Sequence, residues 1–305
     1  MQILVMQVFD FSFLFEMLKT RPKRRLVVAN GVDVHTIEAL ALAQRSNIVS
    51  VILTGNRHLI EESCQQAGIS SGIFEFVDCD DEQLAADMAV KMVRNHDADL
   101  IMKGFISTDK FMKSILNKEL GLMVGGGLLS HVTVILNERY GKPLIISDVA
   151  VIPLPTLEQK VVMTENVIEV ARAIGITEPK VAFIAATEQV IQKMPATTDA
   201  FELKKMWQEN RFPGSVCDGP LSLDLAIDME SAQIKKCESV VAGNADCLLF
   251  PNIESGNVFY KTNTKLCNAS VAAVLVGMAA PAVLSSRGDS AETKLNSIAL
   301  AALLS

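Results

Sequence analysis

Two hydrophobic rhythms alternate along this chain. Short apolar runs closed by glycine, asparagine or aspartate predict buried strands over 26–29, 48–54, 73–77, 98–104, 142–150, 180–185, 247–250 and 281–284. Between them, apolar residues three and four apart predict helices over 35–46, 57–67, 82–95, 157–174, 197–209 and 291–304. Asp33 is placed to cap the first of these helices, Ser107 or Thr108 opens another, and Gly175 closes the helix at 157–174. Strands alternating with helices at this spacing imply an α/β protein whose mostly parallel sheet is covered on both faces. At 305 residues the chain is long for one unit and points to two domains, the alternation resuming with a second sheet near residue 140. The opening MQILVMQVFDFSFLF is apolar, yet Asp10 and Glu16 interrupt it and it lacks a basic lead and a cleavage site. It reads as a helix or strand packed on the body, not a signal peptide.

One stretch joins the two rhythms most tightly. In GNADCLLFPNIESGNVFYK the apolar run at 247–250 ends at Pro251, and Ser255-Gly256-Asn257 can open a helix. A strand feeding a helix N-terminus exposes unpaired N–H groups that suit an anion. Asn257 and Lys261, four apart, share a face there, with Tyr260 between them. Two other places have similar promise. Lys103-Gly104 sits at the C-terminal end of its strand, where open α/β sheets collect ligands. The glycines Gly125, Gly126 and Gly127 imply a loop with unusual dihedrals or a close ligand approach.

Composition narrows the chemistry. Half the residues are apolar, and 28 basic against 35 acidic side chains leave a net charge of −7, which argues against nucleic acid as a partner. The basic turn Arg21–Arg25 reads as a solvated charge run. Six scattered cysteines with no C-x-x-C pair speak for reduced thiols in a cytoplasmic protein, against a disulfide framework or zinc site. The run from Val271 to Leu284 is broken by Gly277 and Pro281 and falls short of the ~20 residues a membrane span needs. GISSG at 68–72 matches G-x-S-x-G, but a helix precedes it and a strand follows, the reverse of a nucleophile elbow. No phosphate-loop or H-E-x-x-H motif occurs, and no carboxylate and histidine cluster has metal-ligand spacing.

At least five separate phrases, which follow one another along the chain in the family's order, resemble the phosphate acetyltransferase and phosphate butyryltransferase family. GNADCLLFPNIESGNVFYK is similar to G-D-A-D-x-L-x-x-P-D-I-x-x-G-N-x-x-Y-K, with Asn244 and Asn252 where aspartate is common. LIMKGFIST resembles L-x-x-K-G-x-x-x-T and carries Lys103 and Thr108. Ser130-His131 resembles an S-H-V/M element, and Ser147 to Val151 resembles T/S-D-x-A-V, with Asp148 at its centre. VCDGPLSLDLAI resembles D-G-P-L-x-x-D-x-A-I, in which Asp218 and Asp224 could face a cleft. Ser285-Ser286-Arg287 resembles the S-R element that lies at the reacting thioester. The run LEQKVVMTENVIEVARAIGITEPKVAF leans towards the butyryltransferases.

The resemblance implies a fold like that of the isocitrate and isopropylmalate dehydrogenases. One domain would hold residues 1–140 with 272–305 and the other 141–271, with the active site between them. It implies reversible transfer of a short acyl group, butanoyl favoured and acetyl the alternative, between coenzyme A and inorganic phosphate. The rivals from other classes are a silent ligand-binding protein and a dehydrogenase of the same fold. Coenzyme A would be a co-substrate, no cofactor or metal would be resident, and the assembly would be a homodimer or larger. Arginine suits a developing oxyanion because it is always charged and donates two parallel N–H bonds. That role falls to Arg287, with Ser286 positioning the thiol. Ser130 and His131, with the glycine loop, would line the phosphate or acyl end, and Gly256, Asn257, Tyr260 and Lys261 would take an anionic part of the substrates. Where acetyltransferases carry an aspartate as thiol base, this chain has Thr293; Asp289 or Glu292 would have to replace it.

Overall fold

The computed structural model describes residues 10–125, 127–284 and 288–305. Gly126, Ser285, Ser286 and Arg287, all named above, lie outside them, as do residues 1–9 of the apolar opening segment.

The chain order of the main elements is α1 (Ser12–Leu18), β1 (Arg24–Ala29), α2 (Val34–Arg45), β2 (Val49–Gly55), α3 (Arg57–Gln66), β3 (Glu75–Asp78), α4 (Glu82–Arg94), β4 (Leu100–Lys103) and α5 (Thr108–Ile115). Then come β5 (Ser130–Leu136), β6 (Pro143–Ser147), α6 (Leu157–Ala173), β7 (Lys180–Ile184), α7 (Pro195–Gln208), β8 (Val216–Leu221), α8 (Leu223–Ile227) and α9 (Met229–Ile234). The chain finishes with β9 (Cys247–Leu249), α10 (Ile253–Leu266), β10 (Ser270–Val276), β11 (Ala282–Val283) and α11 (Ala291–Leu304). The helices start where side chains can cap them. Asp33 accepts from Thr36 N–H, Ser107 from Lys110, and Thr156 forms a reciprocal capping box with Gln159.

The described strands form one sheet in the order β3-β2-β1-β4-β11-β10-β5-β6-β9-β7-β8. The runs β3-β2-β1-β4-β11 and β6-β9-β7-β8 are each parallel, and β10 and β5 join them edge to edge. The joint is antiparallel: β5 pairs with β10 from Ser130↔Val276 to Leu136↔Ser270, and with β6 on its other side. Every residue of β5 is buried, so the joint is core and not linker. The chain crosses back after β10, placing β11 beside β4 and α11 against α2.

Burial on both faces explains the near-continuous apolar strands. In β1, Leu26 and Val28 pack with Ile37 and Leu40 of α2 and Ile298 of α11, whereas Val27 and Ala29 face Ala86, Ala89 and Val90 of α4. The basic turn before β1 is anchored. Arg21 Nη1 donates to the Leu303 carbonyl at 2.6 Å and Arg24 donates to the Ser305 carbonyl, satisfying acceptors at the C-terminal end of α11.

Candidate active site

The C-terminal ends of β4 and β6 and the antiparallel start of β5 reach the same edge of the sheet, so Lys103, Asp148 and His131 arrive together. A cleft of about 530 Å3 opens there. Lys103, Thr108, His131, Asn257, Tyr260, Lys261 and Asp289 all line it, which gathers seven sequence-selected residues from four separate stretches of chain. Leu284 and Asp289, on either side of the undescribed 285–287, line it as well.

Each wall has a reason for its position. Lys103 is 4% exposed, and its ammonium donates to the carbonyls of Ile106 at 2.9 Å and Gly104 at 3.2 Å, which folds the following loop around it. Gly104 can be nothing larger, because a Cβ would lie 2.4 Å from the Asn30 carbonyl oxygen. Opposite, Gly256 brings α10 against the loop after β6, where a Cβ would sit 2.3 Å from the Asp148 carbonyl oxygen. Asn257 Nδ2 then donates to the Val149 carbonyl at 2.9 Å. Helix α10 begins at Ile253 under an Asn252 cap, not at Gly256 as the sequence suggested. Gly256 therefore serves close packing, and Asn257, Tyr260 and Lys261 enter the cleft from the second and third turns.

The charges fit anionic ligands. Lys103 and Lys261 both line the cleft, and the Lys261 ammonium stands 4.9 Å from the centroid of the Tyr260 ring. Burial first, then the charge of Asp289, pushes the Tyr260 phenol up to about 12, so it remains a donor at neutral pH. Burial also lowers the His131 imidazole below its ordinary value; Asp148 and Asp289 pull it upward and Lys261 downward, and burial prevails. His131 thus stands uncharged in the cleft.

Other selected residues have structural employment and do not line the cleft. The buried Ser130 hydroxyl accepts from Asn166 Nδ2 at 2.8 Å. The Asp148 carboxylate accepts three backbone N–H groups, from His131, Ala150 and Val151 at 2.7, 2.8 and 2.7 Å. Gly127 packs on the main chain of Gly277, whose carbonyl oxygen a Cβ would meet at 2.6 Å, so close backbone contact accounts for this member of the glycine run. Asp218 pairs with Lys204 at 2.6 Å in a different depression. Asp224 is held down to about 2 by the Ser222 hydroxyl and Lys235. Of the two stand-ins for the thiol base, Asp289 lines the cleft and Glu292 does not; Thr293 lines it too, with its N–H on the Ser290 cap. None of the cysteines lines the cleft, and burial pushes Cys217 up to about 12, away from nucleophilic use. Among the described residues no group of three or more potential metal ligands occurs, and no helix is long and apolar enough to cross a membrane.

Ile106, Ala273 and Ser297, to which the sequence gave no role, also line this site, as do Ser107, read as a helix cap, and Val149 and Ala150 of the Asp148 motif. Ser297 was invisible to pattern reading because it sits in a helix otherwise taken as apolar. Its hydroxyl accepts from Ala273 N–H at 3.0 Å, pinning α11 to β10 at the cleft floor.

The fold of this chain is shared with a solved phosphotransacylase. The branched-chain phosphotransacylase of Enterococcus faecalis V583 superposes with a TM-score of 0.82 at 29% identity, covering 92% of this chain and 98% of that one. A putative 4-hydroxythreonine-4-phosphate dehydrogenase from Salmonella typhimurium, at 11% identity and a TM-score of 0.53, shares the fold alone, with 93% of this chain and 100% of that one covered. Residues 81–302 match the family model described as phosphate acetyl/butaryl transferase. The phosphate butyryltransferase of Clostridium acetobutylicum is 42% identical over 97% of this chain and 98% of its own length. The phosphate acetyltransferase of Thermotoga maritima is 39% identical over 95% and 98%. This chain belongs to the phosphate acetyl/butaryl transferase family.

Proposed function

We propose that this protein catalyses reversible transfer of a short-chain acyl group, butanoyl by preference, between coenzyme A and inorganic phosphate. The observation that carries the reading is the convergence of Lys103, Thr108, His131, Asn257, Tyr260, Lys261 and Asp289 on one cleft in a chain of this family. Two lysines and a phenol that stays protonated supply the donors a phosphate needs. A free thiol titrates near ~8.5, so attack at neutral pH gains from a base, and Asp289 is the carboxylate of the pair that reaches the cleft. We assign the tetrahedral oxyanion to Arg287, where a well-placed donor is worth ~3–4 kcal/mol, and thiol placement to Ser286. These two follow from the family resemblance and the cleft position of Leu284 and Asp289 beside them.

The division into 1–140 with 272–305 and 141–271 belongs to the same proposal; it sets Lys103, His131 and Asp289 on one wall and Asn257, Tyr260 and Lys261 on the other. So do a cytoplasmic setting, a place in butanoate metabolism and a homodimeric or larger assembly. Methylene differences are worth only ~1–3 kcal/mol in a pocket, so acetyl transfer is the competing outcome. The test is thiol release from butanoyl-CoA and phosphate, followed by rates across acyl phosphates of rising chain length. A rate peak at four carbons supports the proposal and a peak at two replaces butanoyl by acetyl. Binding without release of a thiol overturns the enzymatic reading.

A further inference from the structure

Thr133 stands two residues beyond His131 on β5 and so on the same face of the strand. It is fully buried, and its hydroxyl lies 3.3 Å from His131 Nδ1, its one hydrogen-bond partner among the described residues. A buried hydroxyl has a hydrogen to place, and leaving it unplaced costs ~1–3 kcal/mol. Nδ1 is the acceptor within reach, so the hydroxyl donates to it. An uncharged imidazole that accepts at Nδ1 carries its proton on Nε2. Asp148, whose charge favours a proton on the ring, is engaged by three backbone N–H groups and has no hydrogen bond to the ring among the described residues. The other charged groups felt by the ring, Asp289 and Lys261, both line the cleft.

We propose that Thr133 is a positioning residue that fixes His131 with its proton on Nε2, so that His131 serves the cleft as a hydrogen-bond donor to a substrate oxygen and not as the thiol base. The proton stays on nitrogen throughout and no bond to it is broken. This rests on the acyl-transfer reading for the identity of the oxygen, which belongs to phosphate or to the acyl carbonyl. A donor already oriented before the reaction needs no reorganisation as negative charge develops, the condition under which such a contact helps most. Burial keeps the ring uncharged, which suits a donor that must not trap an anion too tightly.

Nitrogen-15 NMR of the full chain with labelled histidine reads the tautomer directly. The chain holds four histidines, and the signals lost in His131→Gln identify the relevant ring. The expected result is a protonated Nε2 and an unprotonated Nδ1 in the wild type. Thr133→Val, close in shape, should give a mixture of tautomers with a fall in kcat, and Thr133→Ser should restore both. Inorganic phosphate alone should shift the Nε2–H signal if phosphate supplies the oxygen; a shift with butanoyl-CoA alone identifies the carbonyl. A proton on Nδ1 in the wild type overturns the proposal, as does a tautomer unchanged in Thr133→Val or an Nε2–H silent to both ligands. The wild-type spectrum decides the tautomer even if a variant fails to fold. Should the tautomer hold while no thiol is released in the assay above, the acyl-transfer reading fails and the Thr133 assignment stands.

Discussion

Asp148 holds His131 by its main chain: carboxylate Oδ2 accepts the His131 N–H at 2.7 Å across the β5–β6 joint. The same carboxylate turns the chain after β6 by accepting from Ala150 and Val151, and the loop it shapes is the surface on which α10 rests. One buried side chain thus sets the spacing between the histidine wall and the Asn257–Lys261 wall. Among the described residues its carboxylate contacts are with main chain, and its motif also reads as substrate binding.

The contact between α10 and that loop is tight enough to test by adding one carbon. In Gly256→Ala the new methyl meets the Asp148 carbonyl oxygen at 2.3 Å, and neither backbone can yield without shifting the wall. The expected loss of stability is about 1–3 kcal/mol, read by urea unfolding, with a rise in KM for both substrates. Unchanged stability would show that the two segments are not clamped.

Lys261→Met removes one of the two cations that line the cleft among the described residues, while keeping the length of the side chain. The KM for phosphate should rise about tenfold or more, as befits a charge-assisted contact worth about 1.5–3 kcal/mol, while the thermal midpoint stays put. Equal KM values would move the phosphate away from this wall.

Asp289→Asn should lower kcat at neutral pH, and the deficit should shrink as pH rises towards ~8.5, where the thiol ionises without help. A deficit independent of pH would remove Asp289 from the role of base.

For the undescribed pair, Arg287→Ala should cut turnover by ~100-fold or more with no loss of folded structure by circular dichroism. Retained activity would place the oxyanion elsewhere.

His131 also makes a prediction about stability. Its folded value is depressed by burial, so below the unfolded value of ~6.5 the unfolded chain binds the extra proton. The stability this uncharged ring contributes is present above that value and is lost as pH falls towards its depressed folded value. Unfolding free energies at about pH 5 and about pH 7.5 should therefore differ more for the wild type than for His131→Gln. A wild-type difference no larger than the variant's would show that the ring is not buried uncharged.

The parallel strands and the capped helices were legible because each side-chain cap and apolar run is a local signal. Asp33, Ser107 and Gly175 sit at the ends they foretold, and α11 occupies the span read from periodicity. The antiparallel joint was harder. SHVTVIL is buried along its whole length, so it shows no alternation, and the glycine run before it drew attention to a loop. Missing that strand hid Thr133, whose relation to His131 exists only once a two-residue repeat is assigned. The start of α10 was misplaced because Asn252 caps it immediately after Pro251, whereas the serine and glycine further on have the composition of a helix opening. Lys103 was found by motif, but its burial was not, because the carbonyls that surround its ammonium come from a turn the pattern leaves open. Asp218 and Asp224, which could have faced the cleft or served as turn aspartates, are engaged by Lys204 and Lys235 away from it.

The return of β10, β11 and α11 to the first half of the sheet has a consequence during translation. Strand β4, paired with β1 on one side, lacks β11 on the other, and α2 lacks its contact with α11, until everything from Ser270 onward has left the ribosome. The nascent amino-terminal half must wait with Ile37, Leu40 and the far edge of β4 uncovered while the second half is synthesised. Contacts that span nearly the whole polypeptide, such as Arg21 with Leu303, make chaperone protection most valuable in that interval.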